Sequence, residues 1–237
     1  MNRLCLLVVA KAPVPGHAKT RLCPPASPEQ AADIAAASLL DTLDTVLAVP
    51  GAAPVVAMTG ELAAATRFSE LRRALADVRA VPQRGADFAA RLAAAHADAA
   101  ALHPGLPIVQ IGMDTPQLRA ELLAEAGERL RGDPVDAVLG PATDGGWWTL
   151  GLRHPRGAEA LRGVAMSRPD TGEQTMAALR AAGLRVGTLP ELSDVDTMAD
   201  ALLVAGQAPG SRFAGAVAAV AERVGTDAET LAAGGER

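Results

Sequence analysis

Short apolar runs rich in Val, Ile and Leu alternate with longer alanine-rich stretches along almost the whole chain. That alternation constrains the fold more than any single motif. Residues 4–10 are uniformly apolar and read as a buried strand. Further strands are expected over 54–59, 78–82, 107–112, 137–141, 147–152 and 184–189. Helical spacing fills 28–49, 61–76, 86–102, 116–130, 172–182 and 196–205, with another helix over 212–224. Repeated strand–helix units predict an α/β domain, with a mostly parallel central sheet and helices on both faces. Its 237 residues suit one large domain better than two. The expected division is a main domain over 1–206, then a C-terminal helix and flexible, frayed tail over 207–237.

The composition removes several function classes. The formal net charge is −5 and aromatics are 2% of the residues, which argues against nucleic acid as a partner. The apolar run at the start is too short to span a bilayer and too short for a secretory signal, so no membrane span is expected. Cys5 and Cys23 form no disulfide framework and no zinc spacing. They are read as reduced, in a cytoplasmic protein. There is no G-x-G-x-x-G after the first strand, and Gly16–Thr20 lacks the earlier glycine of a P-loop. No G-x-S-x-G or H-E-x-x-H occurs. His17, His96, His103 and His154 fall in no metal spacing and are read as solvated or helix-surface residues.

Ligands of such sheets sit beyond the carboxyl ends of the strands, which selects four segments. The first follows strand one: Lys11, Lys19 and Arg21 lie in one Pro/Gly loop, and Gly16 lets its backbone turn and expose N–H donors. Arginine forks and lysine point charges suit a diphosphate or triphosphate. The second is Asp114, directly after strand four, where a carboxylate can grip a hard cation or, alternatively, where Asp114 or Thr115 can cap the next helix. The third is the Asp144-Gly145-Gly146 turn before Trp147 and Trp148, one of which can wall a sugar-sized pocket, since alternate side chains on a strand face opposite ways. The fourth is Asp194-Val195-Asp196. In extended backbone both carboxylates point one way and can complete a cation site, or Asp196 caps the helix that follows.

These segments, in this order, resemble the DUF2064 family of GT-A-type glycosyltransferase-like proteins, some of them labelled arsenosugar-biosynthesis or radical-SAM-associated transferases. The resemblance rests on residues 11–22 (K-x-P-x-P-G-x-x-K-T-R-L), 112–118, 139–151 and 192–200. The basic loop is also similar to that of the phospholactate guanylyltransferase and molybdenum-cofactor nucleotidyltransferase group. The family often has Gly-Ser/Thr-Asp-Cys-Pro where this chain has Gly112-Met113-Asp114-Thr115-Pro116. It usually has Tyr at Trp147 and Pro-Trp-Ser near Met166. The resemblance implies a single GT-A-like domain in which Lys11, Gly16, Lys19 and Arg21 hold nucleotide phosphates. It further implies that Asp114 and Asp196 hold Mg²⁺ or Mn²⁺, and that Asp144 faces the second substrate, with Lys19 and Arg21 assisting catalysis. Gln83 and Gly85 follow strand three, where such folds meet the base or ribose. The expected activity is metal-dependent transfer of a sugar from a nucleoside diphosphate sugar to a small-molecule acceptor. The alternative is nucleotidyl transfer from an NTP with release of pyrophosphate; a third is a non-catalytic nucleotide-binding partner protein.

Overall fold

The computed structural model describes residues 4–132 and 134–234, with backbone alone beyond residue 223. The element order is β1 (Leu4–Lys11), α1 (Pro28–Ala48), β2 (Ala52–Thr59), α2 (Phe68–Ala74), β3 (Arg79–Pro82), α3 (Phe88–Leu102) and β4 (Ile108–Ile111). It continues with α4 (Ala120–Gly132), β5 (Ala137–Pro141), β6 (Trp147–Leu152), α5 (Thr171–Ala181), β7 (Val186–Thr188), α6 (Met198–Gln207) and α7 (Arg212–Gly234). The seven strands form one sheet in the order β3-β2-β1-β4-β6-β5-β7. All neighbours are parallel except β6, which runs antiparallel to both β4 and β5. The reversal puts the start of β6 at the same edge as the ends of the other strands. The turn carrying Asp144 therefore joins the loops after β1 and β4.

Period-two alternation splits β1 between two cores. Leu4, Leu6 and Val8 pack with Leu39 and Leu43 of α1 and Leu123 and Leu130 of α4. Cys5, Leu7 and Val9 pack with Leu92 and Ala99 of α3 and, beyond them, Leu161 and Leu179. A third core on the outer side of α1 joins Ile34 and Ala37 to Val204 of α6 and to Phe213 and Val217 of α7. Leu22, from the basic loop, and Val195, between two acids, lie in that core too. It therefore pins two distant functional segments against each other.

Several expected boundaries move. The 61–76 helix is a 3-10 turn at Leu62–Ala64, the short α2 and a second 3-10 turn at Leu75–Asp77. α4 starts at Ala120 rather than residue 116, because 116–117 form a turn. Residues 155–163, given no structure from sequence, form a 3-10 helix. The last helix runs on through the stretch read as frayed to Gly234; 235–237 lie outside the described residues. His96 is a correction of another kind: it is not a surface histidine but is 0% exposed.

Candidate active site

Backbone hydrogen bonds draw the four segments together. Leu192 N–H donates to Pro141 O at 3.1 Å and Thr143 N–H to Leu192 O at 3.1 Å, tying the acidic segment to the β5–β6 turn. Val195 N–H donates to Asp114 O at 3.2 Å, tying it to the end of β4. With Val195 buried in the third core, Asp194 and Asp196 are directed away from it, as extended backbone requires. The helix that follows is capped by Thr197 and Asp200 in a reciprocal capping box. Asp196 is therefore free of the capping role. So is Asp114, six residues before α4.

Asp144, Asp194 and Asp196 each offer a carboxylate oxygen within 4.8 Å of the others. Like charges this close disfavour ionisation. Burial foremost, then Asp144 and Asp196, push the Asp194 carboxyl up to about 6, with Lys19 pulling the other way. Three hard oxygen donors this close together fit a divalent cation, so the residues present suit the metal that the fold family implies. Asp114 stands apart from this trio and is engaged by Lys19, whose Nζ lies 3.1 Å from Asp114 Oδ2 and 3.7 Å from Asp196 Oδ1 and also donates to Val195 O. Arg21 Nη1 lies 2.8 Å from Asp196 Oδ2. Lys19 is a left-handed residue (φ 48°, ψ 41°), an uncommon state for a side chain with a Cβ, and it is fixed by these contacts.

The site is a cleft with two lobes. A basic lobe of about 450 Å³ is lined by Lys11, His17, Lys19, Thr20 and Arg21. An acidic lobe of about 570 Å³ is lined by Asp144, Asp194, Gln110, Phe88, Trp147 and Met166 among others. Arg21, Met113, Asp114, Ser167 and Asp196 belong to both and form the ridge between them. Lys11 Nζ donates to His17 O at 2.7 Å, which holds the loop in a curl. Trp147 Nε1–H donates to Thr175 Oγ1 at 3.1 Å and Trp148 Nε1–H to Pro190 O at 2.9 Å. Trp147 packs on the α3-side core and Trp148 lies in the opposite core, so the two indoles take opposite faces of the sheet, as strand alternation requires.

The turn at 144–146 is built by close backbone approach. Gly145 has φ +86°, and a Cβ there would lie 1.8 Å from Pro169 O. Gly172 N–H donates to Gly145 O at 2.8 Å, so the turn is fastened to the first turn of α5. Asp144 Oδ1 accepts from Gly146 N–H at 2.7 Å.

Three expected site residues stand elsewhere. Gln83 Nε2 donates to Ala10 O (2.8 Å) and Ala57 O (3.0 Å), closing the ends of β1 and β2, and neither it nor Gly85 lines either lobe. Gly16 sits at the loop's turn with φ +74° and likewise outside both linings. Sequence reasoning assigned no role to Ser167, Arg168, Phe88 and Gln110. The first two lie in an irregular segment where this chain departs from the family's Pro-Trp-Ser pattern, but Gln110 carries a signal, a lone amide inside an otherwise apolar strand.

A parallel sheet with one reversed strand, a cationic loop after β1 and carboxylates at the same edge define a protein of the nucleotide-diphospho-sugar transferase fold class. The chain belongs to the DUF2064 family, described as an uncharacterized protein conserved in bacteria, whose model matches residues 42–168, just over half the chain. That span contains Asp114 and Asp144 but neither the basic loop nor Asp194 and Asp196. A solved structure from Desulfovibrio desulfuricans, provisionally titled a nucleotide-diphospho-sugar transferase, is similar at 28% identity and TM-score 0.73, over 85% of this chain and 86% of that one. A cytidylyltransferase from Leptospira borgpetersenii shares the fold at 13% identity and TM-score 0.55, over 95% and 96% of the two chains. Over 113 residues the chain is 36% identical to a phosphoenolpyruvate guanylyltransferase from Nocardia farcinica, covering 46% of this chain and 48% of that one. It thus matches about half the length of this curated relative. The named activities among these relatives are all transfers involving nucleotides. Among the described residues, no helix is long and apolar enough to cross a membrane.

Proposed function

We propose that this chain transfers a sugar from a nucleoside diphosphate sugar to a small acceptor, and that Asp144, Asp194 and Asp196 hold Mg²⁺ or Mn²⁺ for it. The observation that carries this reading is the pairing of a cationic lobe with an adjoining carboxylate trio across one ridge. Lys11, Lys19 and Arg21 bind and orient the diphosphate as charge-assisted donors. Asp114 is retained as a further candidate ligand, which Lys19 must release to reach a phosphate. When bound, the cation supplies electrostatic stabilisation of the charge that develops on the departing diphosphate. The acceptor hydroxyl forms the new bond to the anomeric carbon as the bond to the diphosphate oxygen breaks. Asp144, the most exposed of the trio, takes the hydroxyl proton on the carboxylate oxygen it does not offer to the cation. The walls of Phe88, Trp147 and Met166 exclude water and pack an apolar sugar face.

Nucleotidyl transfer is the second reading, favoured by the guanylyltransferase match. The two readings differ in what leaves. Incubating the protein and Mn²⁺ with mixed sugar nucleotides, NTPs and a set of small alcohols, followed by mass spectrometry, is expected to yield a nucleoside diphosphate. Pyrophosphate without nucleoside diphosphate would transfer the assignment to the second reading.

Metal dependence is tested separately. Asp196→Asn removes an anionic donor from the trio and the partner of Arg21, and is expected to weaken Mn²⁺-dependent UDP or GDP binding at least tenfold, about 1.4 kcal/mol. Calorimetric titration with and without EDTA measures it. Equal affinity in wild type and variant would leave Asp196 as a surface partner for two cations.

A further inference from the structure

The floor of the acidic lobe holds a polar pair that the transfer chemistry leaves unused. β4 sends Gln110 to the same face as Ile108, which packs in the core on the α3 side. There Gln110 Oε1 lies 3.1 Å from Nε2 of His96, on α3. His96 is 0% exposed and Gln110 3%. His96 Nδ1 has no hydrogen-bond partner. A proton on Nδ1 would thus be a buried N–H without an acceptor, an expensive arrangement. On Nε2 the same proton donates to Gln110 Oε1, and Nδ1 is left with only a bare lone pair. Burial also keeps the ring neutral, pushing its pKa down to about 4. The histidine therefore fixes which end of the carboxamide faces it.

With Oε1 engaged, the amide Nε2–H₂ is the donor Gln110 has left for the cleft. Thr149 Oγ1 anchors the strand here by donating to Gln110 O at 2.8 Å. Val9, Phe88, Trp147 and Met166 line the same lobe. The two arginines there, Arg21 and Arg168, are paired with Asp196 and Asp170. An anionic group beyond the phosphates would meet carboxylates without a free cation, whereas a neutral oxygen would meet the amide.

We propose that Gln110, held by His96, is a specificity-determining donor that hydrogen-bonds an uncharged carbonyl or hydroxyl oxygen on the apolar-faced group a substrate carries beyond its phosphates. This rests on the cleft being a nucleotide-sugar site. Base and sugar both present such oxygens, and the test separates them.

The full-length chain with Mn²⁺ is titrated calorimetrically with three probes: inorganic pyrophosphate, UDP or GDP, and glucose 1-phosphate or mannose 1-phosphate. Gln110→Glu keeps an acceptor for His96 and removes the donor; Gln110→Leu removes the donor without adding charge. Both variants are expected to bind pyrophosphate within about twofold of wild type. Either the nucleoside diphosphates or the sugar phosphates lose at least tenfold, and whichever class does so identifies the occupant. A loss shared equally by pyrophosphate, or by both other classes, makes Gln110 structural and overturns the proposal, as does no loss at all. Wild type binding none of the three would remove the transferase reading itself, a failure visible before any variant is made.

Discussion

Gly145→Ala is expected to lower stability by on the order of 3 kcal/mol and to abolish transfer in whatever protein still folds. Two costs add. Holding a residue with a Cβ at φ +86° costs about 1–2 kcal/mol. The new Cβ would also lie 1.8 Å from Pro169 O, a backbone atom that cannot rotate away. Relief requires separating the 144–146 turn from 169–172, which stretches the Gly172 N–H to Gly145 O bond and carries Asp144 away from Asp194 and Asp196. For a chain of this size the predicted fall in Tm is roughly 10 °C. Scanning calorimetry and Mn²⁺ titration of the purified variant measure both effects. A variant that melts within 2 °C of wild type and binds Mn²⁺ equally would show that the turn is not fastened as described.

The second large effect is a hidden pH dependence. His96 is neutral when folded down to about pH 4, whereas an unfolded histidine protonates near 6.5. Below 6.5 the unfolded chain binds a proton the folded chain refuses, so this stabilisation, present above 6.5, is lost as pH falls towards 4. The full difference is about 3 kcal/mol, of which about 2 kcal/mol is gone by pH 5. Asp194 acts in the opposite sense. Its folded pKa, about 6, exceeds the ordinary carboxylate value, so the folded state takes up that proton first and gains stability over the same interval. The wild-type curve is therefore nearly flat between pH 7 and 5. Asp194→Asn should expose the histidine's slope, losing about 2 kcal/mol across that interval, and His96→Leu in the same background should remove it again. Urea unfolding at both pH values gives the comparison. Equal slopes in the single and double variants would mean that His96 is reached by solvent.

Most strands were legible because a strand buried on both faces must be continuously apolar, and the run at 4–10 has no helical counterpart of that length. The position of β6 was not. Its sequence announces a strand after a Gly-Gly turn, but its insertion between β4 and β5 depends on which edge of β4 is free, a property of the assembled sheet. The carboxylates at 114 and 144 were identifiable from a strand end and a turn, and those at 194 and 196 from their alternation in an extended segment. The acid that joins Asp194 and Asp196 is Asp144, while Asp114 faces Lys19, because the third core and the Val195–Asp114 hydrogen bond decide the approach. His96 was misread because an alanine-rich helix has no strong polar face, so periodicity cannot say which side a lone histidine takes.

The chain has two tryptophans, no tyrosine and three phenylalanines. Trp147 and Trp148 are neighbours at the start of β6, Trp147 on the cleft's side of the sheet and Trp148 in the core of the other face, so all indole emission from this protein originates at the cleft or directly beneath it. Excitation near 295 nm therefore interrogates the site without a label. Trp148, 3% exposed, should contribute a blue-shifted component, while the half-buried Trp147 should respond to whatever enters beside it. A bound group that packs on Trp147 would alter intensity and quenching by acrylamide, and unfolding would register as loss of the site rather than as an average over the molecule.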